Sequence, residues 1–389
     1  MKALTFLCLL IFLQKACPAQ SLILTGAEQT VNYFKLLKHK HLGMVVNAGS
    51  RIGNTHLVDS ILNAGMKIEK IFAPEHGFRG QADAGESVEN TLDKTSGIPV
   101  ISLYGKHTRP SESDLQGIDL MVFDLQDVGA RFYTYLSTLH EVMKACSEQH
   151  IPLLLLDRPN PNGFCIDGPI LDTINCRSFV GIDPVPVVYG MTIGEYARMI
   201  NGEGWLGKAD VCKLNIISLK NYTHKSLYHL PLPPSPNLPT DLSIALYPSL
   251  CFFEGTVISV ARGTNYPFEA FGHPDLPSGA FSFIPVPIEG KSKHPPLENK
   301  TCNGTDLRGY NEINFLNTGQ LNLTWLINTY QAFPDKNKFF NNYFEKLAGT
   351  LNLRKQLIAG NTEAQIRDSW QAGLTNFKLV RKKYLLYSE

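Results

Sequence analysis

The sequence predicts an α/β fold: a Rossmann-like, mainly parallel sheet with helices on both faces, followed by a smaller C-terminal α+β domain. Three observations carry this. Aliphatic runs alternate with amphipathic segments from residue 42 to about 160. Within the runs the apolar residues are continuous rather than alternating, as in strands covered on both faces. Each run also ends in polar or charged residues, and ligands of open α/β sheets bind outside the carboxyl ends of the strands.

The elements follow in order. LGMVVNAGS (42–50) is a first strand running into polar residues, and THLVDSILNAG (55–65) has helical spacing closed by Gly65. KIEKIFAPEHG (67–77), PVISLYG (99–105), DLMVFDLQDVG (119–129) and IPLLLLDRPNP (151–161) supply further strands, with a helix at 134–150 before the last. TIGEYARMINGEGWL (192–206) opens on Thr192 with Glu195 three residues on, a capping box, and VCKLNIISL (211–219) reads as a strand. The prolines of LPLPPSPNLPT (230–240) fix an extended, rigid loop that suits a crevice wall. Beyond residue 275, Pro- and Asn-rich loops give way to helical segments including TWLINTYQAF, NKFFNNYFEKLAG, LRKQLIAG and the stretch from Thr362 to Tyr387. The expected division is 1–19 as a signal peptide, 20–274 as the catalytic domain and 275–389 as an auxiliary domain.

Composition narrows the function. The 389 residues are 43% hydrophobic, ample for a packed core, and the formal net charge of +1 gives no basis for nucleic-acid or membrane-surface binding. Lys2 followed by LTFLCLLIFL, an apolar run too short to span a bilayer, with Cys17 and Ala19 before Gln20, has the form of a secretory signal. This predicts an exported, periplasmic protein without a membrane span. Lipoprotein cleavage before Cys17 is the alternative. Cys146, Cys165, Cys176, Cys212, Cys251 and Cys302 remain, without a compact disulfide framework, and Cys146 and Cys251 lie in apolar stretches that suit buried thiols.

Several chemistries find no motif. NAGSRIGN after the first strand lacks the G-x-G-x-x-G turn of dinucleotide binding, and neither a P-loop nor a G-x-S-x-G elbow occurs. His39, His41 and His140 lack companions at metal-ligand spacing. No cofactor and no metal are therefore expected. Paired carboxylates remain. Glycosidic hydrolysis needs one carboxylic acid to protonate the leaving oxygen and a second group to act at the anomeric carbon. FAPEHGFRG (72–80) supplies Glu75 and His76 at a strand end, with Arg79 close by. Apolar Phe72, Ala73 and Pro74 would raise the Glu75 pKa, whereas contact with His76 or Arg79 would lower it. Asp124, Asp127 and Glu254 are candidates for the second group.

FAPEHGFRG, DAGESV, SLYG, VFDLQDVGARFYTY, LLDRPNPNG, GMTIGEYA, PPSPNLP and FEGTVISVARGT, in this order over roughly residues 40–275, resemble the exo-β-N-acetylmuramidase family. The resemblance implies a Rossmann-like domain, a small C-terminal domain and an active site between them. It also implies hydrolysis of the β-1,4 bond that releases N-acetylmuramic acid from the non-reducing end of peptidoglycan fragments. The implied partners are peptidoglycan-derived disaccharides and muropeptides. Carried over by motif, Glu75 is the essential acid, His76 its neighbour in catalysis or orientation and Asp127 a third catalytic residue. Asn47, Arg79, Asp124, Gln126, Arg158, Asn160, Glu254 and Arg262 are candidates for substrate binding. An arginine suits the lactyl carboxylate of muramic acid, which a guanidinium can hold in a bidentate pair. Ala261 and Tyr189 stand where many relatives have glycine and histidine, which bears on substrate preference rather than reaction class. Retaining, inverting and substrate-assisted routes all remain open on sequence. A non-catalytic binder of cell-wall fragments is the alternative reading, but it would not require Glu75, Asp124 and Asp127.

Overall fold

The computed structural model describes residues 22–79, 90–207, 211–311 and 313–389. The expected signal segment, with Cys17, and the DAGESV motif lie outside the described residues.

Seven strands form the central sheet: β1 (His41–Val46), β2 (Lys67–Ala73), β3 (Thr91–Leu92), β4 (Pro99–Ser102), β5 (Leu120–Asp124), β6 (Leu153–Leu156) and β7 (Leu214–Ile217). Their order is β7-β6-β5-β1-β2-β4-β3, and every neighbouring pair is parallel except the short β3 on β4. The parallel strands thus run outward in both directions from β1, the doubly wound order, with the switch point between β1 and β5. Continuous apolar sequence is explained by burial: every residue of β5 and β6 is buried. At the edges, β7 is half-exposed and β3 exposed.

Successive side chains of each strand part to opposite faces. Met44, Val46 and Ile71 pack with Tyr33 and Leu37 of α1 (Thr30–Leu37) and with Leu57 and Ile61 of α2 (Leu57–Asn63). Val45, Phe72 and Phe123 pack on the other face with α3 (Tyr135–Glu148) and α4 (Ile193–Gly202). Helix α2 starts two residues later than its sequence pattern suggests. Thr55 and His56 pair back on Arg51 and Ile52 in a small hairpin, and the His56 ring accepts from the Val58 N–H as the cap. Helix α4 begins at the expected capping box, with Thr192 and Glu195 exchanging hydrogen bonds.

After α5 (Asp241–Leu250) and a 3₁₀ turn at Cys251–Gly255, a three-stranded antiparallel sheet places β10 (Cys302–Asp306) between β8 (Ala270–His273) and β9 (Ser282–Phe283). The rest is helical. NKFFNNYFEKLAG breaks into two short helices, the second being α6 (Phe344–Ala348). The break occurs because Asn341 is used elsewhere: its backbone N–H and its amide donate to carbonyls of the 254–256 turn. The final stretch likewise divides, its longer part being α7 (Gln371–Lys382).

Among the described residues, one buried cluster runs from the sheet into these helices. The cluster on the α3 face continues through Phe252, Phe271 and Phe344 to Phe377. Arg131, 1% exposed, bridges it: one guanidinium nitrogen donates to the Pro169 and Val185 carbonyls, the other to Leu347 and Ala348 of α6. All six cysteines of the described chain are buried free thiols, Cys146 and Cys251 among them. Among the described residues, no helix is long and apolar enough to cross a membrane, and no group of three His, Cys, Asp or Glu could hold a metal ion.

Candidate active site

Strand β2 ends at Ala73, and Pro74 leads into a tight turn closed by the Gly77 N–H on the Pro74 carbonyl. His76 and Gly77 both take left-handed conformations, φ 70° and 77°. Such a conformation is uncommon for a residue with a Cβ and is held here by the surrounding packing. The two ionisable side chains of the turn then part company. Glu75 lines a cavity of about 340 Å³ together with Tyr104, Thr134, Glu254, Arg262 and Tyr343. His76 lines a second, of about 190 Å³, with Asn47, Gly49, Tyr135 and Pro233–Pro236. The proline-rich loop is thus a crevice wall.

The N-terminus of α3 forms the partition between the two. The Thr134 hydroxyl donates to the Glu75 carboxylate (Oε2, 2.9 Å), while the next residue, Tyr135, donates to the Glu75 backbone carbonyl at 3.4 Å. The Asn47 amide, at the end of β1, in turn donates to the Tyr135 hydroxyl at 3.0 Å. Across the larger cavity the Glu254 carboxylate accepts from Arg262 Nε at 2.6 Å. Burial opposes the Arg262 charge, but Glu254 outweighs it and the arginine pKa is raised. Burial, followed by the neighbouring Glu75 charge, pushes the Tyr104 phenol up. Tyr343 is raised by burial and then by Cys251, Glu254 and Glu75. Both phenols therefore stay protonated through neutral pH, as hydrogen-bond donors facing two carboxylates.

The other strand-end residues are engaged elsewhere. Asp124 and Arg158, both expected at the sugar, form a buried bidentate pair with each other, 2.5 and 2.8 Å. The pair lies at the β5 end, beside the switch point where a doubly wound fold ordinarily takes its ligand. Gln126 donates to the Asp127 and Pro159 carbonyls, and Asn160 to Met191. Asp127 is also buried, accepting from the Tyr189 hydroxyl and the Gly129 N–H, and burial raises its pKa to about 7. None of these five lines either cavity. Arg79 turns away to Asp93 and Asp59 and stacks on Phe78. Of the eleven candidates, Glu75, Glu254 and Arg262 share the larger cavity, and Asn47 and His76 the smaller.

Two family profiles match the chain: the N-terminal region of exo-β-N-acetylmuramidase NamZ over residues 42–242 and the C-terminal region over 245–387. The chain belongs to the NamZ family. It is 38% identical to the peptidoglycan β-N-acetylmuramidase NamZ of Bacillus subtilis (strain 168), with 93% of this chain and 91% of that protein aligned. Crystal structures of two DUF1343 family proteins of Bacteroides fragilis NCTC 9343 share its fold. One has a TM-score of 0.88 at 43% identity, covering 95% of this chain and 100% of the other; the second has 0.79 at 26%, covering 94% and 99%.

In NamZ terms, the Glu75 cavity is built by both profile regions: Glu75, Tyr104 and Thr134 come from the first, Glu254, Arg262 and Tyr343 from the second. The His76 cavity belongs wholly to the first. Sequence reasoning did not single out Tyr104, Thr134, Lys291, His294 and Tyr343, all of which line the larger cavity. Tyr104 and Thr134 do lie in motifs shared with the family, SLYG and FYTY, but as neutral hydroxyls among more conspicuous acids. Lys291 and His294 sit in the irregular GKSKHPP loop, which has no period to reveal which side chains turn inward.

Proposed function

We propose that the chain is an exo-acting glycoside hydrolase releasing N-acetylmuramic acid from the non-reducing end of peptidoglycan fragments, with Glu75 as general acid. The observation that carries the assignment of Glu75 is its place. Its carboxylate follows the carboxyl end of a parallel strand, is oriented by the Thr134 hydroxyl, and opens into a polar cavity that holds a second carboxylate, Glu254. Glycosidic cleavage requires such a pair, one to protonate the departing oxygen and one to act at the anomeric carbon, its attacking water or the substrate acetamido group. Glu254 takes the second part, and Arg262 holds it in place. Tyr104 and Tyr343 supply neutral donors to the sugar. His76 steadies the turn from the neighbouring cavity, in which Asn47 also lies. Asp127, Asp124, Gln126, Arg158 and Asn160 are positioning residues that hold the strand ends. Disaccharides and muropeptides derived from peptidoglycan are the substrates, and residues 1–19 direct export to the periplasm.

The test is hydrolysis of a chromogenic β-N-acetylmuramide by the mature chain. Release by the wild type is expected, with kcat for Glu75→Gln lower by about 10²- to 10⁴-fold. No release by the wild type sinks the reaction; full activity of the variant sinks the residue. A binding protein that kept the crevice but not the chemistry would bind the muramide without turnover. It would have no use for a carboxylate oriented by Thr134.

A further inference from the structure

Arg262, one of the arginines expected to contact the substrate, is already matched. Its Nε donates to Glu254, and its guanidinium lies 5.1 Å from the centre of the Phe268 ring. The same cavity contains another fixed cation, Lys291. It is half-buried, and among the described residues no carboxylate pairs with it.

The backbone around Lys291 is anchored beyond what a solubilising lysine needs. The Ile288 and Ser292 N–H groups donate to each other's carbonyls at 2.9 Å, tightening the turn that carries it. The Asn237 amide, on the proline-rich loop and 2% exposed, donates to the Lys291 carbonyl at 2.8 Å. At the base of the loop, the Val286 N–H donates to the Gly263 carbonyl at 2.9 Å. Gly263 itself has φ +78°, and a Cβ there would fall 2.6 Å from Pro295. The loop is therefore seated on the residue next to Arg262, so that Lys291 and the Glu254–Arg262 pair are placed by one contact surface.

We infer that Lys291 recognises the lactyl carboxylate, the group that separates N-acetylmuramic acid from N-acetylglucosamine. The inference rests on the substrate class proposed above. The two basic residues divide the work by their chemistry. The planar guanidinium is fixed on a protein carboxylate, while the ammonium, a point charge on a flexible stem, meets a carboxylate that arrives with the sugar.

The contact is read by comparing N-acetylmuramic acid with its lactyl methyl ester, as inhibitors of muramide hydrolysis and by titration calorimetry on the Glu75→Gln chain. In the Lys291-intact protein the acid binds more tightly than the ester by about tenfold, the effect of one charge-assisted contact. Lys291→Met abolishes that preference and raises KM for the muramide about tenfold, with kcat nearly unchanged. Lys291→Glu inverts it, the ester binding better than the acid, which damage to the fold would not produce. Lys291→Met retaining the preference for the acid, or an intact protein that does not distinguish acid from ester, overturns the inference. Calorimetry needs no turnover, so a wild type that binds with this preference yet hydrolyses nothing overturns the reaction and leaves the contact standing.

Discussion

The ionisable residues of FAPEHGFRG have three separate destinations. Glu75 enters one cavity and His76 another, while Arg79 leaves both to join Asp93 at 2.9 and 3.0 Å. The arginine, with two Ser96 donors, holds the Asp93 carboxyl at about 2, although burial pushes the other way. The Asp93 charge is thus favoured by folding. Its contribution is complete above the ordinary aspartate range near 4 and is lost as pH falls through about 2. Asp93→Asn should cost about 1–2 kcal/mol at pH 7, a figure reduced for the partial exposure of Arg79. In urea melts the difference from wild type should shrink toward zero near pH 2; a deficit that stays constant with pH would refute the ion pair as its source. Glu75 could be picked out from sequence because an acid directly after a buried strand is conspicuous. The fate of Asp124 and Arg158 could not, since 34 residues separate two groups that only the fold brings to 2.5 Å.

At the scale of elements, strands and capped helices were legible because their signals are local. Continuous aliphatic runs gave β5 and β6, and Thr192 with Glu195 marked the start of α4. Where a segment was recruited by a distant one, local reading failed, as when Asn341 donates to the 254–256 turn and splits a helical pattern. The loop of Lys291 is of this second kind, since its shape depends on Asn237 more than fifty residues earlier. Asn237→Ala should accordingly raise KM for a muramide about three- to tenfold, the weight of one buried hydrogen bond, while kcat holds. Steady-state kinetics checks this; a fall in kcat at constant KM would instead tie Asn237 to the chemical step.

For the whole molecule, one buried cluster joins the central sheet to the C-terminal helices, and Arg131 ties α6 to it through four hydrogen bonds, with no carboxylate partner among the described residues. Burial lowers the pKa of this guanidinium to about 10, still charged at neutral pH. Calorimetry should therefore show one unfolding transition, with the two parts melting together; two resolved transitions would contradict a shared core. The doubly wound topology could be anticipated from the alternation of elements, whereas its union with the helices depends on aromatic contacts such as that of Phe253 with Phe271, whose pairing no period announces. The cavity around Glu75 also has a chronology. Its acid leaves the ribosome about 270 residues ahead of Tyr343 and Leu347, which complete its wall. Until those residues emerge, a growing chain carries the Glu75 carboxylate without the room around it, so the proposed hydrolysis is expected only after the C-terminal helices have folded onto the sheet.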